Sequence, residues 1–160
     1  MGLGFERMKV GLVLLACTWA GAAAAQCAPD VVTLKGDFGQ ARFKVAVADD
    51  NAERAQGLMN VPQMPTMSGM LFVYEAPQVA SFWMRNTLIP LDMIFAGGDG
   101  TVRHIHPQAV PLDETPIFGG DDIKYVLEIN GGLAARLGLA PGDVMQHPAI
   151  GPDAALPCTD

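Results

Sequence analysis

Between residues 31 and 146 the chain is a succession of short apolar runs, each closed by a turn signal, and this spacing admits little except a β-rich fold. Residues 31–34 read as a first strand, with Gly36-Asp37 turning the chain. Residues 42–48 alternate polar and apolar side chains, the pattern of a half-buried strand. Three runs, 70–74, 79–84 and 91–96, read as buried strands. Gly97-Gly98-Asp99-Gly100 is the clearest turn, and it returns residues 101–106 as a hairpin. Strands over 123–129 and 144–146 complete the set. Two short helices interrupt it. One follows Asp50 or Asn51 as N-cap and ends near Gly57; the other spans 131–137, with Asn130 as cap and Gly138 in the C′ position. Residues 107–122, rich in acids, prolines and glycines, read as one long loop. Tight turns between sequential strands favour antiparallel pairing, and the strand–helix alternation of a βαβ fold is missing. The expected fold is mainly β, a compact antiparallel β-barrel or jelly-roll-like sandwich with two short helices.

The ends of the chain point to export. Arg7 and Lys9 introduce an uncharged apolar stretch over residues 10–22, and Ala23-Ala24-Ala25 supplies the small side chains that a signal peptidase reads. Residues 1–25 are therefore read as a signal peptide. The apolar stretch is short against the roughly 20 residues of a membrane span. An uncleaved anchor and a lipoprotein stay open as alternatives, the latter because Leu14-Leu15-Ala16-Cys17 loosely resembles a lipobox. Residues 26–150 form the expected single domain and 151–160 an irregular tail held only by a disulfide. Cleavage leaves two cysteines, Cys27 and Cys158. An even pair in an exported chain reads as a disulfide, with two unpaired thiols as the bland alternative. The expected location is periplasmic or secreted, with no stable membrane insertion after signal cleavage.

Charge narrows the partners. The formal net charge is −7, and removal of residues 1–25 leaves eight cations against sixteen anions. That balance disfavours nucleic acid and anionic membrane surfaces. A small polar ligand or an envelope protein is the expected partner, and a monomer the expected state.

Four blocks in fixed order carry a resemblance. They are Arg54-Ala55-Gln56-Gly57-Leu58-Met59, Gly69-Met70-Leu71-Phe72, the long run from Phe82 through Met84-Arg85-Asn86-Thr87-Leu88-Ile89-Pro90-Leu91-Asp92 to Phe95, and Val126-Leu127-Glu128-Ile129 followed by Gly138 and Gly142-Asp143. Together they resemble domain-of-unknown-function family 192 over roughly residues 31–147. The resemblance implies a compact β-barrel or jelly-roll-like domain with small helices, and many similar members carry a signal peptide. It implies no reaction, cofactor or catalytic residue.

The candidate chemistry begins in the Phe82–Asp92 block. Trp83, Arg85, Asn86 and Asp92 could form a polar pocket, with Trp83 as an apolar wall, Arg85 as an anion clamp and Asp92 as acceptor or base. Arg54 and Glu128 are further members. The competing reading makes Asn86 and Thr87 a turn and Asp92 an acceptor of backbone N–H groups. Glu128 lies in an apolar strand, where a carboxylate is costly unless paired, and an ion pair with Arg54 or Arg85 is expected. His104 and His106 share one strand face and suggest a weak metal site, completed from elsewhere by His147 or Glu128. The pattern lacks the downstream carboxylate of a cupin-like set. Met64 and Met67, in a loop, are the only candidates for soft copper ligands. No cofactor is expected. The leading expectation is a small-ligand-binding or accessory module rather than an enzyme. The alternative is a metal-dependent enzyme using His104 and His106, or a carboxylate-based one using Asp92 and Glu128.

Overall fold

The computed structural model describes Met1 and residues 27–158, so the signal-peptide reading of residues 1–25 and Cys17 lie outside the described residues. Seven strands and two helices follow in order: β1 (Val31–Gly36), β2 (Gly39–Ala48), α1 (Asn51–Gln56), β3 (Ser68–Phe82), β4 (Leu91–Ala96), β5 (Val102–Ala109), β6 (Ile117–Asn130), α2 (Leu133–Leu137) and β7 (Val144–Gln146). They form one sheet in the order β5-β4-β6-β3-β2-β1-β7. The sheet curls until its two edges meet. Thr101, ahead of β5, bridges Val144 in β7, and Val102 N–H donates to the Asp143 carbonyl at 2.8 Å. The result is a barrel-like half-barrel of mainly β structure, as expected.

One pair departs from antiparallel. β2 runs parallel to β3, Lys44 opposite Ser68 and Ala48 opposite Phe72. A parallel pair needs a crossover rather than a hairpin. Residues 49–67 supply it: Asp50 caps α1 by accepting from Glu53 N–H at 2.8 Å, and Gly57 ends the helix.

Two other expectations are corrected. The runs 70–74 and 79–84, expected as two strands, join in a single strand, β3, that ends at Phe82, with Glu75-Ala76-Pro77 carried as a bulge at the register shift between Val73 and Gln78. A proline without an N–H is tolerated at a bulge. The loop expected over 107–122 shrinks to 110–116, since β5 reaches Ala109 and β6 starts at Ile117. Its turn-like Gly119 has a packing role. A Cβ there would overlap the Phe95 ring, so glycine lets that ring lie against the β6 backbone.

The sheet is buried on both faces. Ile94 and Ala96 join Leu127, Ile129, Phe43 and Leu133 in one apolar cluster inside the curl, while Leu91, Met93 and Phe95 join Val126, Phe72 and Met84 in another on the outer face. All six residues of β4 are buried as a consequence, which is why its sequence shows no alternation.

The tail is tied more firmly than the disulfide alone would hold it. Ile150 is buried in the inner cluster, Gln146 Nε2 donates to the Pro157 carbonyl at 2.8 Å, and Ala155 N–H donates to Asp99 O at 2.8 Å. His147 joins the two ends. Its Nδ1 accepts from Ala149 N–H at 3.1 Å and its Nε2 lies 3.0 Å from the Pro29 carbonyl. Cys27 and Cys158 form the disulfide, across a sequence separation of 131. Closing so long a loop restricts the unfolded chain by about 5 kcal/mol in the chain-entropy treatment. Reduction, or Cys27→Ser with Cys158→Ser, is expected to lower the urea midpoint by a stability loss of up to about 5 kcal/mol with the folded circular dichroism spectrum retained. An unchanged midpoint would show that the hydrogen bonds of the tail suffice.

Candidate functional site

The two carboxylates of the central strands point to opposite faces of the sheet. Asp92 stands opposite Ile129, and Met93 opposite Glu128. Directly opposed residues share a face and successive residues alternate. Asp92 therefore faces the inside of the curl and Glu128 the outside. They cannot form one catalytic pair.

Asp92 is fully buried, and three backbone donors hold its carboxylate. Oδ1 accepts from Gln108 N–H and Gly132 N–H, each at 2.8 Å, and Oδ2 from Ala134 N–H at 2.7 Å. Gly132, the N-cap of α2, has no side chain to cap with, so Asp92 caps the helix from β4. Asn130, the expected cap, instead donates to the carbonyls of Met64, Pro65 and Thr66, with the shortest bond 2.9 Å to Pro65. Asp92 thus serves the backbone, and it is absent from the pocket described next.

That pocket, about 100 Å³, opens on the outer face between α1, β3 and β6. It brings together three of the six expected ligand-binding residues, Arg54, Trp83 and Glu128, with Thr87 beside them. Arg85 and Asn86 are exposed and do not line it. Arg85 stacks on the Trp83 ring at 5.3 Å, and Asn86 takes a positive φ of 54° in the turn, its amide 3.9 Å from the Met59 sulfur.

Glu128 forms no ion pair, contrary to expectation. Arg54 bonds elsewhere, to Glu75 at 3.0 Å, to the Asp49 and Val73 carbonyls at 2.7 Å each and to Asn51 Oδ1 at 2.7 Å. Its guanidinium also lies over the Tyr74 ring at 5.2 Å. Among the described residues nothing donates to the Glu128 carboxyl, which is 4% exposed and borders the pocket. Burial pushes its pKa up to about 8. Burial also raises the Tyr74 hydroxyl; the described residues supply no hydrogen-bond partner to it or to the exposed Ser81 on the rim. At neutral pH the pocket therefore presents uncharged O–H groups, able both to donate and to accept, beside a guanidinium that is already engaged.

Tyr74, Ser81 and Phe82 were not read from the sequence as site residues. Phe72 and Tyr74 do show the two-residue spacing of one strand face. Their approach to Glu128 depends on β3 pairing with β6, which puts Met70 opposite Glu128.

The histidines do not assemble a metal site with the residues expected to complete it. His106, Met93 and Glu128 form one cross-strand row, so His106 and Glu128 are two strand spacings apart, about 10 Å, with Met93 between. His104 stacks on Phe95 at 5.8 Å, and both ring nitrogens of His147 are engaged. No group of three or more His, Cys, Asp or Glu side chains suited to an ion occurs among the described residues. Met64 packs against the outer cluster and Met67 is exposed.

The model of domain-of-unknown-function family 192, described only as an uncharacterized ACR, matches residues 32–147. No curated protein matches the chain significantly. Among solved structures, a protein of unknown function from Novosphingobium aromaticivorans is 46% identical, with a TM-score of 0.71, covering 78% of this chain and 93% of its own. A protein from Sinorhizobium meliloti described as a candidate transcription regulator is 42% identical, with a TM-score of 0.70, covering 72% and 90%.

Two outcomes follow from the opposed carboxylates. Asp92→Ala strands three buried N–H groups, and a loss of at least about 3 kcal/mol is expected on urea denaturation. A loss below about 1 kcal/mol would show that water replaces the carboxylate. Glu128 behaves in the opposite sense. Its carboxyl stays protonated in the fold to about 8, whereas the unfolded chain ionises it near 4.5. The native state binds the extra proton between these values, so stability is highest below about 4.5 and falls as pH rises to about 8, by about 5 kcal/mol for this group. Denaturation midpoints of Glu128→Gln should lose that component of the slope; identical pH profiles for variant and parent would contradict it.

Proposed function

The chain belongs to domain-of-unknown-function family 192, and from that premise we propose that it is an exported binding module, periplasmic or secreted, whose outer-face pocket takes a small uncharged polar group. The observation that carries this reading is Glu128, a buried carboxyl to which no described residue donates, bordering a pocket that Tyr74 and Ser81 also line. No side-chain N or O atom among the described residues is both sealed from solvent and unbonded, so the Glu128 carboxyl opens onto the pocket, where a ligand bearing hydroxyl or amide groups would meet it. Phe72, Phe82 and Trp83 supply apolar walls.

Export is supported by the basic, apolar and small-residue order of residues 1–25 and by the Cys27–Cys158 disulfide, a bond of oxidising compartments. No described helix is long and apolar enough to cross a membrane. The acidic charge supports partners other than nucleic acid, and we propose that the module acts as a monomer or on an envelope protein.

A carboxylate-based enzyme is a second reading, favoured by one observation: an acid kept protonated near neutral pH is the state a general acid needs. Asp92 is no partner for it, being held by backbone on the other face.

The binding reading is tested by thermal shift with acetamide, glycerol, glucose and N-acetylglucosamine. At about a hundredfold excess over its Kd, a binder stabilises the protein by about 2.7 kcal/mol, a shift of a few degrees. Glu128→Gln is expected to retain part of the shift and Glu128→Leu to abolish it. Equal shifts in parent and Glu128→Leu, or no shift with any compound, would overturn the reading.

A further inference from the structure

We infer that the ligand of this pocket is a neutral oligosaccharide, one side group of which enters the inner pocket while the sugar chain continues over Trp83 toward Phe118. The inference rests on the pocket reading above and adds the class and the path of the ligand.

Size gives the first reason. At about 100 Å³ the inner pocket holds about three waters at liquid density. That is room for a hydroxymethyl, carboxamide or acetamido group, and too little for a whole sugar ring. The remainder of any larger ligand lies outside. Continuity gives the second. Ser81, Phe82 and Trp83 line both the inner pocket and an outer cleft of about 120 Å³ that runs to Glu114 and Pro116. Pro116 also borders a hollow of about 470 Å³ that reaches Phe118, and Phe118 borders another of about 630 Å³ beside Arg103 and His104. Lining residues shared from each hollow to the next set them in series, as a track from Trp83 to Phe118.

The chemistry of the track selects the occupant. Two aromatic side chains stand out along it, Trp83 at 46% exposure and Phe118 at 65%. Flat rings offer a surface for the apolar faces of pyranose rings, and the polar side chains between them can bind hydroxyls. Charge removes the ionic alternatives. Four acids, Asp113, Glu114, Asp121 and Asp122, border the outer hollows against one arginine, Arg103, on a chain of net charge −7, so uronate or phosphate chains are disfavoured. A cationic side chain entering the inner pocket would meet Arg54. Glu128, Tyr74 and Ser81 offer uncharged donors and acceptors, which suit a hydroxyl or an amide.

The test is calorimetric titration of the mature protein with cello- and chito-oligosaccharides, as single sugars, dimers and tetramers, with galacturonate oligomers as the anionic control. In at least one neutral series, affinity is expected to rise about tenfold or more from single sugar to tetramer. Phe118→Ala should remove most of that gain with the melting temperature of the free protein retained, since the ring is 65% exposed. Trp83→Ala should weaken every length. Neutral sugars that bind with no gain in length overturn the track and leave the pocket standing. Galacturonate tetramers that bind as tightly as neutral ones overturn the charge selection. If no sugar binds while small amides or polyols still raise the melting temperature through Glu128, this inference falls and the pocket reading survives.

Discussion

The Asp92 carboxylate is the fixed point of the domain. Among the described residues it is the only side chain that bonds the end of β5, the glycine ahead of α2 and the first turn of α2 at once. A buried carboxyl is tolerable there only because backbone donors surround it. Those donors are groups that a helix end and a strand end leave unpaired. Each side of the arrangement removes a cost from the other. The helix so anchored places Leu133 and Ala134 in the inner cluster.

The parity of one strand then separates structure from chemistry. β6 carries Leu127 and Ile129 into the curl and Val126 and Glu128 to the outer face. Asp92, one strand away, falls on the inner side. Two carboxylates in neighbouring strands therefore have opposite fates. One is fully hydrogen-bonded. The other has no partner among the described residues and lies beside a pocket. A shift of one residue in the pairing of β4 with β6 would bring both carboxylates to the same face.

Much of the architecture was legible in local signals. Asp50 and Gly57 bounded α1, Gly97-Gly98-Asp99-Gly100 bounded the β4–β5 hairpin, and Gly138 ended α2 in a left-handed conformation. Such signals act within a few residues, so they survive into the fold. The misreadings came where a distant partner decided. Residues 70–74 and 79–84 read as two strands until β6 pairs on both sides of Glu75-Ala76-Pro77, and Gly119-Gly120 reads as a loop until the Phe95 ring packs there. The parallel β2–β3 pair left no local mark. Of the site, Arg54, Trp83 and Glu128 were legible as polar or aromatic residues set among strands. Tyr74 and Ser81 were hidden because their role depends on register.

By itself the sequence determined the class of fold, the family, the two cysteines that join the chain ends and the residues from which a site could be built. These follow from periodicity, turn chemistry and composition, which are local. The tertiary structure alone decided which face each carboxylate occupies, that Asp92 binds backbone, and that Arg54 turns to Glu75 and leaves Glu128 without a partner. Strand order and register control these outcomes, and both are set by packing among residues far apart in the chain.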